Sequence, residues 1–268
     1  RNMGMHMGID PEMGEPQYTH EAYQEYLKRY LRCVKGVDDN VARLVEYLKK
    51  EGLYENTIII YTGDQGFMLG EHDYIDKRWM YEESMRMPFF VRYPAKIKPG
   101  SRTAAIINNT DFAPTMIELA GGSVPEYMQG HSFKTILETG KEPEGWQQST
   151  YYRYWMHMAH LHANPAHFGI RTRDYKLIFF YGRYWKENPG PEGPGGLGSR
   201  YSFRTPAAWE FYDLKKDPLE MQNEYGNPEY KEIIDDLKQK LADKRKELNE
   251  EDADFPHIQK VIDRHWND

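Results

Sequence analysis

A long amphipathic helix constrains the fold more than any other feature of the sequence. It begins near Thr19, a residue type suited to an N-cap, and Gly52 follows where a helix can end. Apolar residues recur between these points in alternating steps of four and three, which is the spacing of one helical face. They are Tyr23, Leu27, Tyr30, Val34, Val37, Val41, Leu44 and Leu48. The pattern predicts a continuous buried stripe, which needs a sheet to cover it.

The residues after this helix predict part of an α/β sheet. Residues 57–62, TIIIYT, form a β-branched run without alternation, typical of a central strand covered on both faces. Residues 88–94 predict a second strand, and residues 104–111 a third short extended piece. A helix is then predicted from Asp111, as its cap, to Gly121 or Gly122. Helix, strand, strand and helix in this order indicate an α/β layer.

The character of the sequence changes after about residue 135. Aromatic, partly alternating segments at residues 149–158, 167–182 and 207–218 predict an antiparallel sheet. Residues 228–248 predict a closing amphipathic helix, whose charged side faces solvent. We therefore predict two domains: residues 1–135 as part of an α/β domain, and residues 136–268 as a smaller α+β subdomain.

The composition excludes some classes of partner. A formal charge of −7 argues against nucleic acid, because phosphate binding needs a basic surface. No apolar stretch is long enough for a membrane span. The single cysteine, Cys33, cannot form an internal disulfide, and its place in the helical pattern predicts a small core residue rather than a reactive thiol. The chain starts at Arg1 without an initiator methionine, which suggests a fragment of a longer protein.

Polar residues gather just past the predicted central strand. Asp64 and Gln65 form a pair of hard oxygen donors that suits Ca²⁺ or Mg²⁺, and Gly63 and Gly66 would let the backbone turn tightly beside them. The alternative is a simple turn in which Asp64 caps a helix. Lys77 is a point charge of the kind that binds phosphate or sulfate, although a surface lysine is the alternative.

Five stretches together resemble one known family. Residues 62–94, TGDQGFMLGEHDYIDKRWMYEESMRMPFFVRYP, are similar to the C-terminal signature region of the type I sulfatases, in the alkaline-phosphatase-like superfamily. Residues 30–64, 108–121, 169–181 and 211–223 resemble further segments of that family in the same order. The resemblance implies that residues 1–135 belong to the sulfatase α/β catalytic domain and residues 136–268 to its C-terminal subdomain.

The resemblance also implies a site and a reaction. Asp64 and Gln65 match ligands of the family's calcium ion, and Lys77 matches the lysine that holds sulfate. His72 would contact sulfate or the adjoining sugar, or would organise the loop. The implied function is hydrolysis of a sulfate ester on a carbohydrate, in a protein similar to bacterial glycan sulfatases and N-acetylglucosamine-6-sulfatases. The family implies a periplasmic, secreted or lysosomal location.

One part of the family's machinery is not in these 268 residues. Sulfatases use a formylglycine made from the Cys or Ser of a C/S-x-P-x-R motif, and this sequence has no such motif; Cys33 is followed by Val, Lys and Gly. We therefore expect the N-terminal half of the same protein to supply the nucleophile and further calcium ligands. The alternatives are a phosphodiesterase or phosphonate hydrolase of the same superfamily, and a chain that binds sulfated glycans without cleaving them.

Four histidines in one aromatic segment allow more than one interpretation. His157, His160, His162 and His167 could form a metal cluster, but their spacing is irregular and no cysteine accompanies them. The family suggests that one or two of them, with Arg173, bind the substrate. The remaining interpretation is packing and loop hydrogen bonding.

Overall fold

The computed structural model describes residues 6–159, 163–185 and 204–268. Its helices are α1 Gln17–Lys50, α2 Glu82–Met85, α3 Phe112–Leu119, α4 Lys134–Thr139, α5 Lys231–Glu247 and α6 Pro256–His265. Its strands are β1 Ile59–Thr62, β2 Met68–Leu69, β3 Ile75–Asp76, β4 Phe89–Arg92, β5 Ser149–Tyr154, β6 His167–Thr172, β7 Tyr175–Phe180 and β8 Ala208–Asp213. Two units are distinguished: residues up to 61 with 90–99, and residues 62–89 with 100–268. The division near residue 135 stays a prediction.

The long helix is confirmed, with a different first residue. α1 starts at Gln17, after Pro16, and no side chain caps its N-terminus. The prediction of Thr19 as N-cap was wrong, because Thr19 lies inside the helix and donates its hydroxyl to the Glu15 carboxylate at 2.6 Å. At the other end, Gly52 has a φ of 68°, the left-handed conformation in which glycine commonly follows a helix.

The apolar stripe of α1 is exposed in this chain, contrary to the prediction that it is buried. Leu44 is 53% exposed, Val34 and Val37 are 47% exposed, and only Tyr18 and Ala22 of the helix are buried. Cys33, expected to be a small core residue, is exposed as well. The periodicity predicted the helix correctly. Burial is lacking because no described residue of its own unit covers this face.

The strands after the helix lie where the sequence places them. β1 and β4 form a two-stranded sheet and fall within the two segments predicted as strands. β1 is half-buried, so the expectation that both its faces are covered is not met within this chain. Residues 104–111 contain no strand and end in a single 3-10 turn, Asn109–Asp111. The helix predicted after Asp111 is α3, and Gly121 follows it with a φ of 84°.

The antiparallel sheet predicted for the C-terminal part is confirmed. Its strand order is β5-β6-β7-β8, and every neighbouring pair is antiparallel. Gly169 pairs with Ile178, and Leu177 pairs with Phe211, so the register sets side chains of one parity on each face.

Each face of this sheet packs against a different layer. On one face, Leu177 and Phe179 of β7 belong to a core with Leu237 of α5 and Ile258 of α6. The sequence predicted α5, but it did not predict α6. On the other face lies a second core, formed with residues of the loop between β2 and α2; its buried members are Met68, Trp79, Met80, Tyr81, Ile178, Phe180 and Tyr212. The loop that carries the candidate site therefore rests directly on the sheet.

No helix in the described ranges is long and apolar enough to cross a membrane.

Candidate active site

Asp64 and Gln65 follow the last residues of β1, as predicted. Asp64 is exposed and Gln65 is half-buried. The Nε2 of Gln65 donates to the carbonyl oxygen of Ser84 in α2 at 2.6 Å. Because Nε2 makes this bond, Oε1 is the amide atom of Gln65 that is left to bind a cation.

Gly66 allows the backbone of this loop to approach α2 closely. Its N–H donates to the Ser84 carbonyl at 2.9 Å, and a Cβ on Gly66 would lie 2.1 Å from the carbonyl oxygen of Glu83. Any side chain here would therefore displace backbone. Gly63, the other glycine singled out by the sequence, has a looser environment, since the nearest atom would be 3.3 Å away.

Lys77 lies directly after a short hairpin formed by β2 and β3. Met68 pairs with Asp76 in this hairpin, so the register places Lys77 opposite Phe67, at the same end of the hairpin as Gln65. The next residue, Arg78, forms an ion pair with Asp76. Lys77 itself is exposed and has no carboxylate partner among the residues that the structure describes. Its ammonium is available to an anion.

His72 lies in the turn of the same hairpin, with a left-handed φ of 53°. Its ring stacks on Tyr81 at 4.3 Å between centroids, and its Nε2 lies 3.9 Å from the Oε2 of Glu83. Neither of these buried atoms forms a hydrogen bond within the described ranges. The stack fixes the orientation of the imidazole ring.

The short helix α2 contacts the hairpin at its turn and also contacts the residues just before its first strand. Glu83 faces His72, while the Ser84 carbonyl holds Gln65. Glu82 is held in turn by Lys176 and Arg171 of the four-stranded sheet. Burial alone would raise the pKa of Glu82, but the charges and hydrogen bonds of Lys176 and Arg171 lower it to about 2. Two predicted site residues, Gln65 and His72, thus contact one helix that is anchored to the sheet.

Sequence reasoning missed Glu82, Glu83 and Ser84. The partner that grips the Glu82 carboxylate in two places, Arg171, is 89 residues away in sequence, so no local pattern announces the contact. Two adjacent glutamates at the start of a helix are common, because carboxylates favour helix N-termini. In the sequence, only the position of these residues between Lys77 and the next predicted strand pointed to a role near the site.

By themselves, Asp64 and Gln65 would be too few ligands to hold a calcium ion. Ca²⁺ takes six to eight oxygen ligands, and Asp64 and Gln65 offer hard oxygens of the right kind. The described residues contain no group of three or more His, Cys, Asp or Glu side chains able to hold a metal ion. Asp64 and Gln65 therefore fit as two ligands among a larger set.

The histidines of the aromatic segment have separate environments. The Nδ1 of His157 accepts the N–H of Ala166 at 3.0 Å, and the Nδ1 of His167 lies 2.8 Å from the carbonyl oxygen of Pro165. Burial lowers the pKa of His167 to about 4. His160 and His162 lie outside the described residues. Arg173 forms an ion pair with Glu142.

Comparison with known families gives two matches. A family model described as N-sulphoglucosamine sulphohydrolase, C-terminal, matches residues 70–187 and 200–247. A model described as Sulfatase matches residues 3–123.

The chain is also similar to individual proteins of known name or structure. The chain is 45% identical to an N-acetylglucosamine-6-O-sulfatase of Bacteroides thetaiotaomicron, over 87% of this chain and 38% of that protein. It is 37% identical to an N-acetylglucosamine-6-sulfatase of Capra hircus, over 45% of this chain and 21% of that protein. A solved structure of a protein in complex with its substrate D-glucosamine-2-N,6-O-disulfate matches with a TM-score of 0.77 and 43% identity, covering 91% of this chain and 45% of the other. The chain spans less than half the length of these relatives.

Proposed function

Because the chain belongs to the N-sulphoglucosamine sulphohydrolase C-terminal family, within the alkaline-phosphatase-like sulfatases, we propose that it forms the C-terminal part of an enzyme that hydrolyses sulfate esters on a glycan. The substrate class we propose is glucosamine sulfated at O6, which the names of two relatives and the bound substrate of a third support. A periplasmic or secreted location would suit such a glycan.

One observation carries this proposal: an oxygen-donor pair and an uncompensated ammonium lie at the same end of one hairpin. Asp64 is exposed, and the amide nitrogen of Gln65 is occupied by Ser84, so the two side chains present oxygens. Lys77 has no carboxylate partner in the described part of the chain, whereas its neighbour Arg78 is paired with Asp76. The oxygen pair suits a divalent cation, and the ammonium of Lys77 suits a tetrahedral oxyanion.

The roles of the residues follow from their chemistry. Asp64 and Gln65 would be two of the ligands of a calcium ion. When bound, calcium would withdraw negative charge from the sulfate oxygens. Lys77 would donate hydrogen bonds to the sulfate group and stabilise the charge that develops as the ester bond breaks. His72, fixed by its stack on Tyr81, would contact the sulfate or the adjoining sugar. The nucleophile, an expected formylglycine, would come from the N-terminal half of the same protein.

The test uses the full-length protein and three kinds of substrate. We expect release of sulfate from N-acetylglucosamine-6-sulfate in the presence of calcium, and loss of that activity after chelation of calcium. Faster cleavage of a phosphonate monoester or a phosphodiester than of any sulfate ester would contradict the proposal in favour of a phosphonate hydrolase or phosphodiesterase. Tight binding of the sulfated sugar without turnover would favour a glycan-binding chain.

A further inference from the structure

The carboxylate of Glu82 is held by two cations from the four-stranded sheet. Arg171 of β6 donates from Nε to Oε1 at 3.1 Å and from Nη2 to Oε2 at 2.9 Å, a two-point contact that fixes the plane of the carboxylate. Lys176 of β7 is fully buried, and its Nζ lies 3.0 Å from Oε1 of the same group. Glu82 therefore cannot rotate or shift without breaking charged contacts to two strands.

A second acid fixes the backbone of the same residue. Glu220, which is 2% exposed, accepts the N–H of Glu82 on its Oε2 at 2.7 Å. Its other oxygen lies 2.6 Å from the Nζ of Lys176. Both the main chain and the side chain of Glu82 are thus tied to the sheet through Lys176. The first residue of α2 has a fixed position and a fixed orientation.

The next step leads from Glu82 to the oxygen donors. Two residues along α2, the carbonyl oxygen of Ser84 accepts from the Nε2 of Gln65 and from the N–H of Gly66. Ser84 is itself fully buried, and its N–H donates to the carbonyl of Tyr81 at 3.0 Å. A displacement of Glu82 would therefore move the acceptor that orients the Gln65 amide.

Stability alone gives a poor account of this cluster. Lys176 and Glu220 are buried, and Glu82 and Arg171 are partly buried, so each loses contact with water; packed apolar side chains of similar volume often stabilise a protein as well or better. Unlike apolar groups, charged groups fix the relative orientation of their partners, because a two-point contact permits one geometry. In this cluster, the fixed geometry of Glu82 is passed through α2 to Gln65, whose side chain carries an oxygen donor.

We propose that Glu82 is a positioning residue for Gln65, through which the four-stranded sheet sets the orientation of this expected calcium ligand. The inference rests on the function proposed above. Partners that orient metal ligands without touching the metal commonly change metal affinity by about 10- to 100-fold when they are removed. Since Glu82 acts through α2, we expect an effect at the lower end of that range.

The test compares two acids that are each held by two cations, in the full-length protein. Glu82→Gln keeps the shape of the side chain and removes its charge. The matched control is Asp252→Asn, because Asp252 is fully buried at 2.5 Å from both Arg153 of β5 and Arg245 of α5, neither of which belongs to α2. Both variants are stripped of metal and titrated with calcium by calorimetry, and the melting temperature is measured without calcium.

We expect Glu82→Gln to raise the calcium Kd by about tenfold, and Asp252→Asn to lower the melting temperature while leaving the Kd within about twofold. An unchanged Kd for Glu82→Gln, or an equal rise in both variants, would overturn the positioning role alone. Failure of the unsubstituted protein to bind calcium would overturn the inference together with the metal assignment.

A milder variant covers the case in which Glu82→Gln does not fold. Arg171→Lys keeps the positive charge and loses the two-point contact, and Arg171 is partly exposed, so the fold should tolerate it. We expect its calcium Kd to rise by roughly threefold, a smaller effect than loss of the carboxylate. A Kd equal to that of the unsubstituted protein would count against the proposal.

Discussion

Lys77 differs from the charged residues around it because its charge is not neutralised. Asp76 and Arg78 pair with each other, while Lys77 is exposed without a carboxylate partner in the described part of the chain. Sulfate carries more concentrated charge on its leaving oxygen in the transition state than in the ground state. A lysine that contacts it should therefore affect turnover more than substrate binding.

The corresponding prediction concerns Lys77→Ala in the full-length protein. We expect kcat/KM for a sulfate ester to fall by about 100-fold or more, the scale of losing one oxyanion donor. The control is Lys141→Ala, which removes an exposed lysine outside the loop. If kcat/KM for Lys77→Ala stays within about threefold of the unsubstituted protein, as expected for the control, then Lys77 is a surface lysine.

At the scale of elements, the contact between the Gly66 loop and α2 decides the shape of the site. We predict that Gly66→Ala lowers the free energy of unfolding by about 2–3 kcal/mol, because the added Cβ would meet the Glu83 carbonyl oxygen and backbone must move. Gly226→Ala is the matched control, since a Cβ there would meet nothing within 4 Å.

Urea unfolding of the two full-length variants measures this difference. The control should change the free energy of unfolding by less than about 0.5 kcal/mol. Equal stability of Gly66→Ala and Gly226→Ala would show that the loop can move away from α2 at little cost, and that the close approach does not fix the site.

The elements that the sequence predicted are those whose signal is local. The stripe of α1, the β-branched run of β1 and the aromatic alternation of the four-stranded sheet each show their period within one segment. α6 was missed because it is only ten residues long, although Ile258, Val261 and Ile262 fall at helical spacing within it.

The candidate site was predictable in part for a related reason. Asp64 and Gln65 follow a strand that the sequence predicted, and Lys77 was singled out by its residue type within the same stretch. Glu82 depends on partners that only the folded sheet brings near, and such long-range ion pairs leave no trace in local periodicity. Sequence reasoning therefore selected the residues that we propose contact a ligand, and missed Glu82, which contacts the sheet instead.

The whole molecule should lose stability in acid partly because of His167. This side chain is fully buried among the rings of Trp79, Tyr152 and Phe180, and burial lowers its pKa from 6.5 to about 4. The unfolded chain takes up a proton near pH 6.5, whereas the folded chain does so near pH 4. The contribution of His167 to the free energy of unfolding is therefore at its most favourable above pH 6.5. It becomes less favourable as the pH falls from 6.5 towards 4.

The measurement is the free energy of unfolding between pH 7 and pH 4. We expect His167 to account for a loss of about 3 kcal/mol over this range, with a slope approaching 1.4 kcal/mol for each unit of pH between the two pKa values. His167→Phe keeps an aromatic ring that cannot take up a proton, so its stability should fall less steeply. Parallel curves for the two proteins would show that His167 does not contribute.

The exposed stripe of α1 predicts different behaviour for the isolated chain and for the full-length protein. Residues 1–268 alone should be poorly soluble and should not hydrolyse an aryl sulfate, because the expected nucleophile motif is not in this sequence and Val37 and Leu44 are exposed. Val37→Ser with Leu44→Ser should raise the soluble yield of the isolated chain.

The same double substitution should destabilise the full-length protein by about 2 kcal/mol or more, because we expect the N-terminal half to cover the stripe. Soluble yield and melting temperature test the two cases. An unchanged melting temperature of the full-length variant would show that the stripe stays uncovered, and turnover by residues 1–268 alone would contradict the expected location of the nucleophile.

The alternation along β7 has a consequence for protein engineering. Ile178 and Phe180 lie beneath the site loop, while Leu177 and Phe179 face the helices. A directed-evolution library that randomises only the even positions would sample new shapes for the site and leave the helical layer untouched. Libraries confined to the odd positions would instead select for thermal tolerance. Residues of one strand could thus be varied in two independent sets, one on each side of the sheet.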